Sequence, residues 1–142
     1  MTTQLLYASM SGHSKKIAQA IAEKTGVPMH NLKTQPTIPP CDTLFIVSGI
    51  YGGESSPELL EYAKKMPENQ AKHIVLITSS TRGTAQGTLR KTLTEAGHRV
   101  ETQEYLCTGG FLFMAFGHPN RSEIDGAVSF AEKLMEKLEI GG

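Results

Sequence analysis

Three short, mainly hydrophobic runs divide the chain: Leu5–Ala8, Thr43–Ser48 and His73–Thr78. Such uninterrupted runs are typical of strands buried on both faces of a parallel sheet. Arg99–Leu106 alternates hydrophobic with polar residues, which predicts an edge strand with one wetter face. Val27–Leu32 is short and mixed, and predicts a weak further strand.

Between these runs, hydrophobic residues recur at helical spacing and are bounded by caps and breakers. Helices are predicted over Ser14–Lys24, from Pro57 to just before Pro67, over Gly87–Ala96 and over Ser122–Leu138. Ser56 is expected to cap the second helix and Ser122 the last. The proline-rich stretch Lys33–Cys41 predicts a connection without a helix of its own. Alternating strands and helices indicate an α/β protein with a mostly parallel sheet and helices on both faces.

Composition narrows the functional classes. A chain of 142 residues suits a single domain, and a formal net charge of zero argues against nucleic-acid binding. The two cysteines, Cys41 and Cys107, are too few for a disulfide framework and lack metal-ligand spacing, so free thiols in a reducing compartment are expected. No hydrophobic run approaches the roughly 18–20 residues of a membrane span, and the chain enters a strand without a signal peptide. A cytoplasmic protein is the default expectation.

Three loops rich in serine, threonine and glycine follow the carboxyl ends of core strands: Ser9–Ser14, Gly49–Ser56 and Ser79–Gln86. In a parallel sheet these ends meet at one edge, where ligands bind. The first loop leads into a helix N-terminus, whose unpaired N–H groups and partial positive charge attract anions. The alternative is that Ser14 simply caps the helix and the other serines are turn residues. Because the loops carry no carboxylate cluster, they suit a ligand with one phosphate and a planar, polar-edged ring.

The segment Ser9-Met10-Ser11-Gly12-His13-Ser14 resembles the flavodoxin phosphate loop, Ser/Thr-x-Ser/Thr-Gly-x-Ser/Thr, at every specified position. Ser48–Gly53 (SGIYGG) resembles the second flavin loop, and Thr78–Gly83 (TSSTRG) stands in the third. Strand count, spacing and length resemble a short-chain flavodoxin over nearly the whole chain. The resemblance implies a three-layer αβα sandwich whose five-stranded parallel sheet has the order 2-1-3-4-5.

By this resemblance the cofactor is FMN, with its phosphate in the first loop, Tyr51 beside the flavin and loop amides at the ring edge. No catalytic side chain and no metal are implied. The implied cofactor-binding residues are Ser9, Met10, Ser11, Gly12, His13 and Ser14 in the first loop, Gly49, Ile50, Tyr51, Gly52 and Gly53 in the second, and Ser79, Ser80, Thr81, Arg82 and Gly83 in the third.

The resemblance implies an electron carrier that exchanges electrons with a partner protein. Two alternatives stay open: a small FMN-dependent reductase of quinone or nitro compounds, and an interaction module with weak or no flavin binding. The chain has no tryptophan, and Arg82 stands where flavodoxins commonly place a second aromatic. An open flavin face would suit transfer to a small molecule or docking to an unusual partner.

The loop Cys107–Ser122 contains the most hydrophobic segment, FLFMAF at Phe111–Phe116. These side chains are expected to pack into the core beneath the loop, with a partner-binding or dimer surface as the alternative. Cys107 is interpreted as a bystander thiol in preference to a redox group.

Overall fold

The computed structural model describes residues 2–8, 13–49, 56–79, 87–107 and 121–141. Strands and α-helices alternate through these ranges except between the second and third strands, which no α-helix separates, as the sequence predicts. The strands are β1 (Thr3–Ala8), β2 (Met29–Asn31), β3 (Cys41–Gly49), β4 (Ala71–Ser79) and β5 (Val100–Cys107), and the helices are α1 (His13–Thr25), α2 (Pro57–Lys65), α3 (Gly87–Glu95) and α4 (Arg121–Gly141).

The described strands form one five-stranded sheet in the order β2-β1-β3-β4-β5, and every neighbouring pair is parallel. This confirms the expected order 2-1-3-4-5. The chain runs outward from β1 to β2, then returns across β1 to form β3 on its other side. The direction of strand addition therefore reverses between β1 and β3, which makes this the switch point of the sheet.

Two hydrophobic cores cover the two faces of the sheet, because successive side chains of a strand point to opposite faces. In β3, Phe45 and Val47 pack on the face covered by α1 and α4. Leu44 and Ile46 pack on the opposite face, against α2 and α3. All four side chains are fully buried, which explains why this run carries no alternation in the sequence.

The predicted caps of the second helix are confirmed. The Ser56 Oγ accepts a hydrogen bond from the Leu59 amide at 3.2 Å, and Pro57 occupies the first turn. Met66 ends α2 in an extended conformation, which the following Pro67 favours.

Two boundary predictions are wrong. The stretch Lys33–Cys41 was expected to follow the second strand without helix, yet Leu32–Thr34 forms one 3₁₀ turn. The turn forms because Asn31 Oδ1 accepts from the Lys33 amide at 3.0 Å and Asn31 O accepts from Thr34 Oγ1 at 2.8 Å. Ser122 is not the N-cap of the last helix, since α4 already includes Arg121.

Candidate functional site: the carboxyl edge of the sheet

The carboxyl ends of β1, β3 and β4 lie side by side, as the sequence predicts. Ala8 pairs with Ser48, and Ser48 in turn pairs with Thr78. One residue further, Gly49 pairs with Ser79. The three loops that follow these strands in the chain therefore all start from the same edge, at the switch point where α/β sheets bind their ligands.

The N-terminus of α1 lies at this edge, since only residues 9–12 separate it from the end of β1. The amide groups of a first helical turn have no partners within the helix, and they carry a partial positive charge. No acidic side chain occurs in the first turn of α1 to neutralise that charge, whereas Lys15 and Lys16 are exposed there. This helix end is accordingly suited to an anion.

The Ser14 hydroxyl is the feature of this helix end that most favours ligand binding. The Ser14 side chain is 0% exposed, and its Oγ has no hydrogen-bond partner among the described residues. A buried hydroxyl without a partner costs about 1–3 kcal/mol, so proteins rarely retain one without compensation. A phosphate oxygen at the helix end would accept the Ser14 hydroxyl and restore that bond. The residues present therefore fit a phosphate-bearing cofactor.

Only some of the predicted site residues fall within the described ranges. Ser14, Gly49 and Ser79 lie at the carboxyl edge, and the backbone of His13 begins α1 there. The other predicted residues lie outside the described ranges; they are Ser9, Met10, Ser11, Gly12, Ile50, Tyr51, Gly52, Gly53, Ser80, Thr81, Arg82 and Gly83.

A buried polar group beneath this edge was missed from the sequence. The Glu104 carboxylate accepts hydrogen bonds from Thr78 Oγ1 at 2.8 Å and from Arg90 Nη2 at 2.9 Å. The Glu104 side chain is only 8% exposed, although it carries a charge. The sequence does place a glutamate at an inward-facing position of β5, which is unusual for a charged residue. Its partners lie in β4 and α3, however, and the pattern of residues within one strand does not show which residues of other elements lie beside it.

Clefts lined by described residues also occur away from this edge. One of about 420 Å³ lies before the amino ends of β3 and β4, between Gln35 and Tyr62. Two of its polar side chains are engaged within the fold: Tyr62 Oη donates to Pro36 O at 2.5 Å, and Gln70 Nε2 donates to Ile38 O at 3.0 Å. Within the described residues there is also no group of three His, Cys, Asp or Glu side chains that could hold a metal ion.

A five-stranded parallel sheet of this order, with helices on both faces, places the chain in the flavodoxin-like class of α/β proteins. The chain belongs to the flavodoxin domain family, whose sequence model matches residues 4–121. No curated protein matches the chain in a sequence search.

Solved structures share the fold at low sequence identity. A flavodoxin from the domain Archaea is 14% identical with a TM-score of 0.72, covering 98% of this chain and 99% of its own. Flavodoxin 2 from Bacillus cereus is 17% identical with a TM-score of 0.68, covering 96% and 99%. General stress protein 14 of Treponema denticola, solved in complex with FMN, is 13% identical with a TM-score of 0.64, covering 97% and 99%.

Among the helices in the described ranges, none is both long and hydrophobic enough to cross a membrane.

Proposed function

We propose that this protein is an FMN-binding redox protein of the flavodoxin type, which carries electrons to or from a partner protein. The observation that carries the proposal is the buried Ser14 hydroxyl in the first turn of α1, at the switch point of the sheet, which has no hydrogen-bond partner among the described residues. Family membership and the FMN complex of the Treponema denticola protein support the choice of cofactor.

The chain would bind FMN at the carboxyl edge. The hydroxyls of Ser9, Ser11 and Ser14 and the amides of Gly12 and His13 would hold the phosphate, using the helix end and no lysine. Tyr51 would stack beside the ring, and the amides of residues 49–53 and 79–83 would donate to its polar edge. When bound, FMN supplies the electron-transfer chemistry, and the protein's share is positioning and electronic tuning.

A comparison of FMN with riboflavin tests the phosphate site, because riboflavin has the same ring without the phosphate. Ser14→Ala removes one donor to a charged group, a loss of about 1.5–3 kcal/mol, or roughly 10–150-fold in FMN affinity. Riboflavin affinity should stay within about twofold of wild type. The apo-protein should not lose stability, because the Ser14 hydroxyl makes no hydrogen bond to any described residue.

The visible spectrum after loading with FMN and desalting gives the first answer. Loss of the flavin bands from the wild-type protein, together with an affinity no better than millimolar, would favour the interaction module. Equal weakening of FMN and riboflavin by Ser14→Ala would place the phosphate elsewhere. Ser56→Ala is the matched control, since it removes a hydroxyl from the N-terminus of α2 and should leave both flavin affinities unchanged.

A small FMN-dependent reductase of quinone or nitro compounds is the second candidate. It is favoured by the absence of tryptophan and of an aromatic residue in the segment 79–83, together with a net charge of zero. Stopped-flow reduction with NADH or NADPH separates the two functions. Rapid direct reduction supports the reductase, and reduction that requires an added reductase protein supports the carrier.

Partner and compartment belong to the same proposal. The segment Phe111–Phe116 lies outside the described residues, so a dimer or partner contact through it stays a prediction, tested by sedimentation of the full chain.

Cys41 is a free thiol, which suits the reducing cytoplasm that the composition predicts.

A further inference from the structure

The Glu104 carboxylate joins β4 to α3. Its Oε2 accepts from Thr78 Oγ1 at 2.8 Å, and its Oε1 accepts from Arg90 Nη2 at 2.9 Å. Thr78 is fully buried, and the side chains of Arg90 and Glu104 are 30% and 8% exposed. Charge-assisted bonds of this length are among the stronger hydrogen bonds in proteins, so the three side chains form a rigid bridge.

A bulge in β5 puts Glu104 in this position. Ile74 pairs with Val100, and Leu76 pairs with Glu104, so β5 advances four residues where β4 advances two. The bulged segment is held by the same arginine, since Arg90 Nη1 donates to Glu101 O at 2.8 Å. Bulges recur beside functional sites, where they re-aim a side chain. Here the bulge aligns a carboxylate with the end of β4.

The bridge joins the two described elements that flank the third predicted flavin loop in the chain. Thr78 lies one residue before the end of β4, and Arg90 lies in the first turn of α3. The chain between these two elements is the segment 80–86. Glu104 therefore links Thr78, before that segment, to Arg90, after it. Thr78 lies next to Ser79, the first of the residues predicted to contact the flavin ring.

Stability alone explains this bridge poorly. Replacing a buried ion pair with well-packed hydrophobic residues is often neutral or stabilising, because removing both charges from water is costly. A buried carboxylate whose partners flank the proposed site is better explained by a role in the geometry of that site. Glu101 offers the contrast within the same strand: its carboxylate pairs with His73 at 3.0 Å, toward the opposite end of the sheet.

We propose that Glu104 is a positioning residue for the flavin ring: by holding Thr78 and Arg90 it fixes the end of β4 relative to α3. The inference rests on the proposed function, because it assigns a role toward FMN. The role assigned to Glu104 is toward the flavin ring and not toward the phosphate. A variant of Glu104 should therefore affect FMN and riboflavin equally, unlike Ser14→Ala.

The test compares Glu104→Gln with the matched control Glu101→Gln. Both substitutions keep the shape of the side chain and remove one partly buried carboxylate from β5. Affinities for FMN and riboflavin are measured by quenching of flavin fluorescence, stability by urea unfolding, and the midpoint potential of bound FMN by spectroelectrochemistry. Glu104→Gln should weaken both flavins by a similar factor, of the order of tenfold. Glu101→Gln should leave both affinities within about twofold, whatever stability it loses.

The potential provides a readout that loss of stability would not move. Glu104→Gln removes the negative charge that faces Arg90, which favours the reduced flavin and should raise the midpoint potential. A tenfold change in the reduction equilibrium corresponds to about 59 mV for one electron. Glu101→Gln should leave the potential unchanged. Arg90→Lys is the second variant, because it keeps the charge but cannot reach Glu101 O and Glu104 together; it should weaken both flavins in the same way.

The outcomes separate this inference from the function on which it rests. If wild type binds FMN and Glu104→Gln matches it in affinity and potential, the positioning role is wrong and the flavin site stands. The same conclusion follows if both glutamate variants change the affinities equally after correction for the folded fraction. If Glu104→Gln does not fold, unchanged flavin affinities in folded Arg90→Lys overturn the inference. If wild type retains no flavin, both proposals fail.

Discussion

Gly126 of α4 lies directly against the hydroxyl of Tyr105 in β5. A Cβ built on Gly126 would overlap the Tyr105 Oη and would lie 3.0 Å from Cζ of the same ring. Tyr105 also packs against Phe130 one turn further along α4, with ring centroids 5.6 Å apart and planes inclined at 37°. The missing side chain at Gly126 thus allows α4 to approach the edge strand closely, and it fixes where the last helix lies on the sheet.

We expect Gly126→Ala to lower the free energy of unfolding by about 1–3 kcal/mol, the usual cost of inserting a methyl group into a packed contact. Glycine to alanine in a helix interior otherwise stabilises by roughly 0.5–1 kcal/mol, so the predicted sign is opposite to the helix-propensity effect. Urea unfolding measures the change. Gly87→Ala is the matched control, because no atom of the described residues lies within 4 Å of a Cβ built there, and it should not destabilise.

Removing the overlapping atom should relieve part of the cost. Adding Tyr105→Phe to Gly126→Ala should cost less than the sum of the two single variants, since the hydroxyl oxygen is the nearest obstacle. Strict additivity, or a Gly126→Ala variant as stable as wild type, would contradict this account of the contact.

The sheet with helices on both faces could be predicted from the sequence because a strand buried on both faces is an uninterrupted run of hydrophobic residues. Every position from Leu44 to Val47 faces one core or the other, so the run cannot alternate. Caps such as Ser56 were equally readable, because the capping bond to Leu59 spans only three residues. The strand order came from the family resemblance, since hydrophobic patterning does not say which strands are neighbours.

The bridge beneath the candidate site could not be predicted in the same way. Glu104, Thr78 and Arg90 come from three elements, and the bulge before Glu104 sets their alignment. The hydrophobic pattern of a strand shows which face of the sheet a residue points to, but not which residue of the neighbouring strand it pairs with. Likewise, the serine-rich turn predicted a phosphate site, but only the three-dimensional structure shows that the Ser14 hydroxyl is buried and has no hydrogen-bond partner in the described part of the chain.

Thr43 should be a site where a mutation stabilises the protein. Its side chain is 0% exposed, and its Oγ1 has no hydrogen-bond partner within the described part of the chain. Thr43→Val keeps the shape and removes a hydroxyl that loses its water without gaining a bond, so stability should rise by about 1–3 kcal/mol. Thr78→Val is the contrasting variant and should be destabilising, because the equally buried Thr78 hydroxyl donates to Glu104. Equal effects from the two substitutions in urea unfolding would show that hydrogen-bond satisfaction is not what distinguishes these sites.

His98 should make the protein less stable in mild acid. Its side chain is 5% exposed, and neither ring nitrogen has a hydrogen-bond partner among the described residues. Burial lowers the pKa of His98 below its usual value of 6.5, and the Met66 backbone and the Glu68 carboxylate offset this only in part. Below about pH 6.5 the unfolded chain therefore binds a proton at His98 that the folded protein does not, so stability falls as pH falls toward the folded-state pKa.

The contribution from one such group cannot exceed about 1.4 kcal/mol per pH unit. Urea unfolding between pH 7.5 and pH 5, compared with His98→Leu, isolates it. The difference in stability between wild type and variant should be constant above pH 7 and should move in favour of the variant below it. A difference that does not vary with pH would mean that His98 is protonated equally in both states.

Cys41 should resist alkylation in the folded protein. The thiol is buried, its Sγ donates to Gln70 O at 3.5 Å, and burial is the main factor that raises its pKa to about 11. The thiolate is the form that reacts with alkylating agents. With a pKa of about 11, only about one Cys41 thiol in a thousand is ionised at pH 8, and burial limits access further.

We expect iodoacetamide to label Cys41 of a Cys107→Ser variant at pH 8 at least a hundred times more slowly in buffer than in denaturing urea. Mass spectrometry of timed samples measures both rates, and Cys41→Ser in the same background controls for labelling at other residues. Native labelling as fast as in urea would require Cys41 to be accessible, which would contradict its buried place at the start of β3, opposite Ala71 of β4.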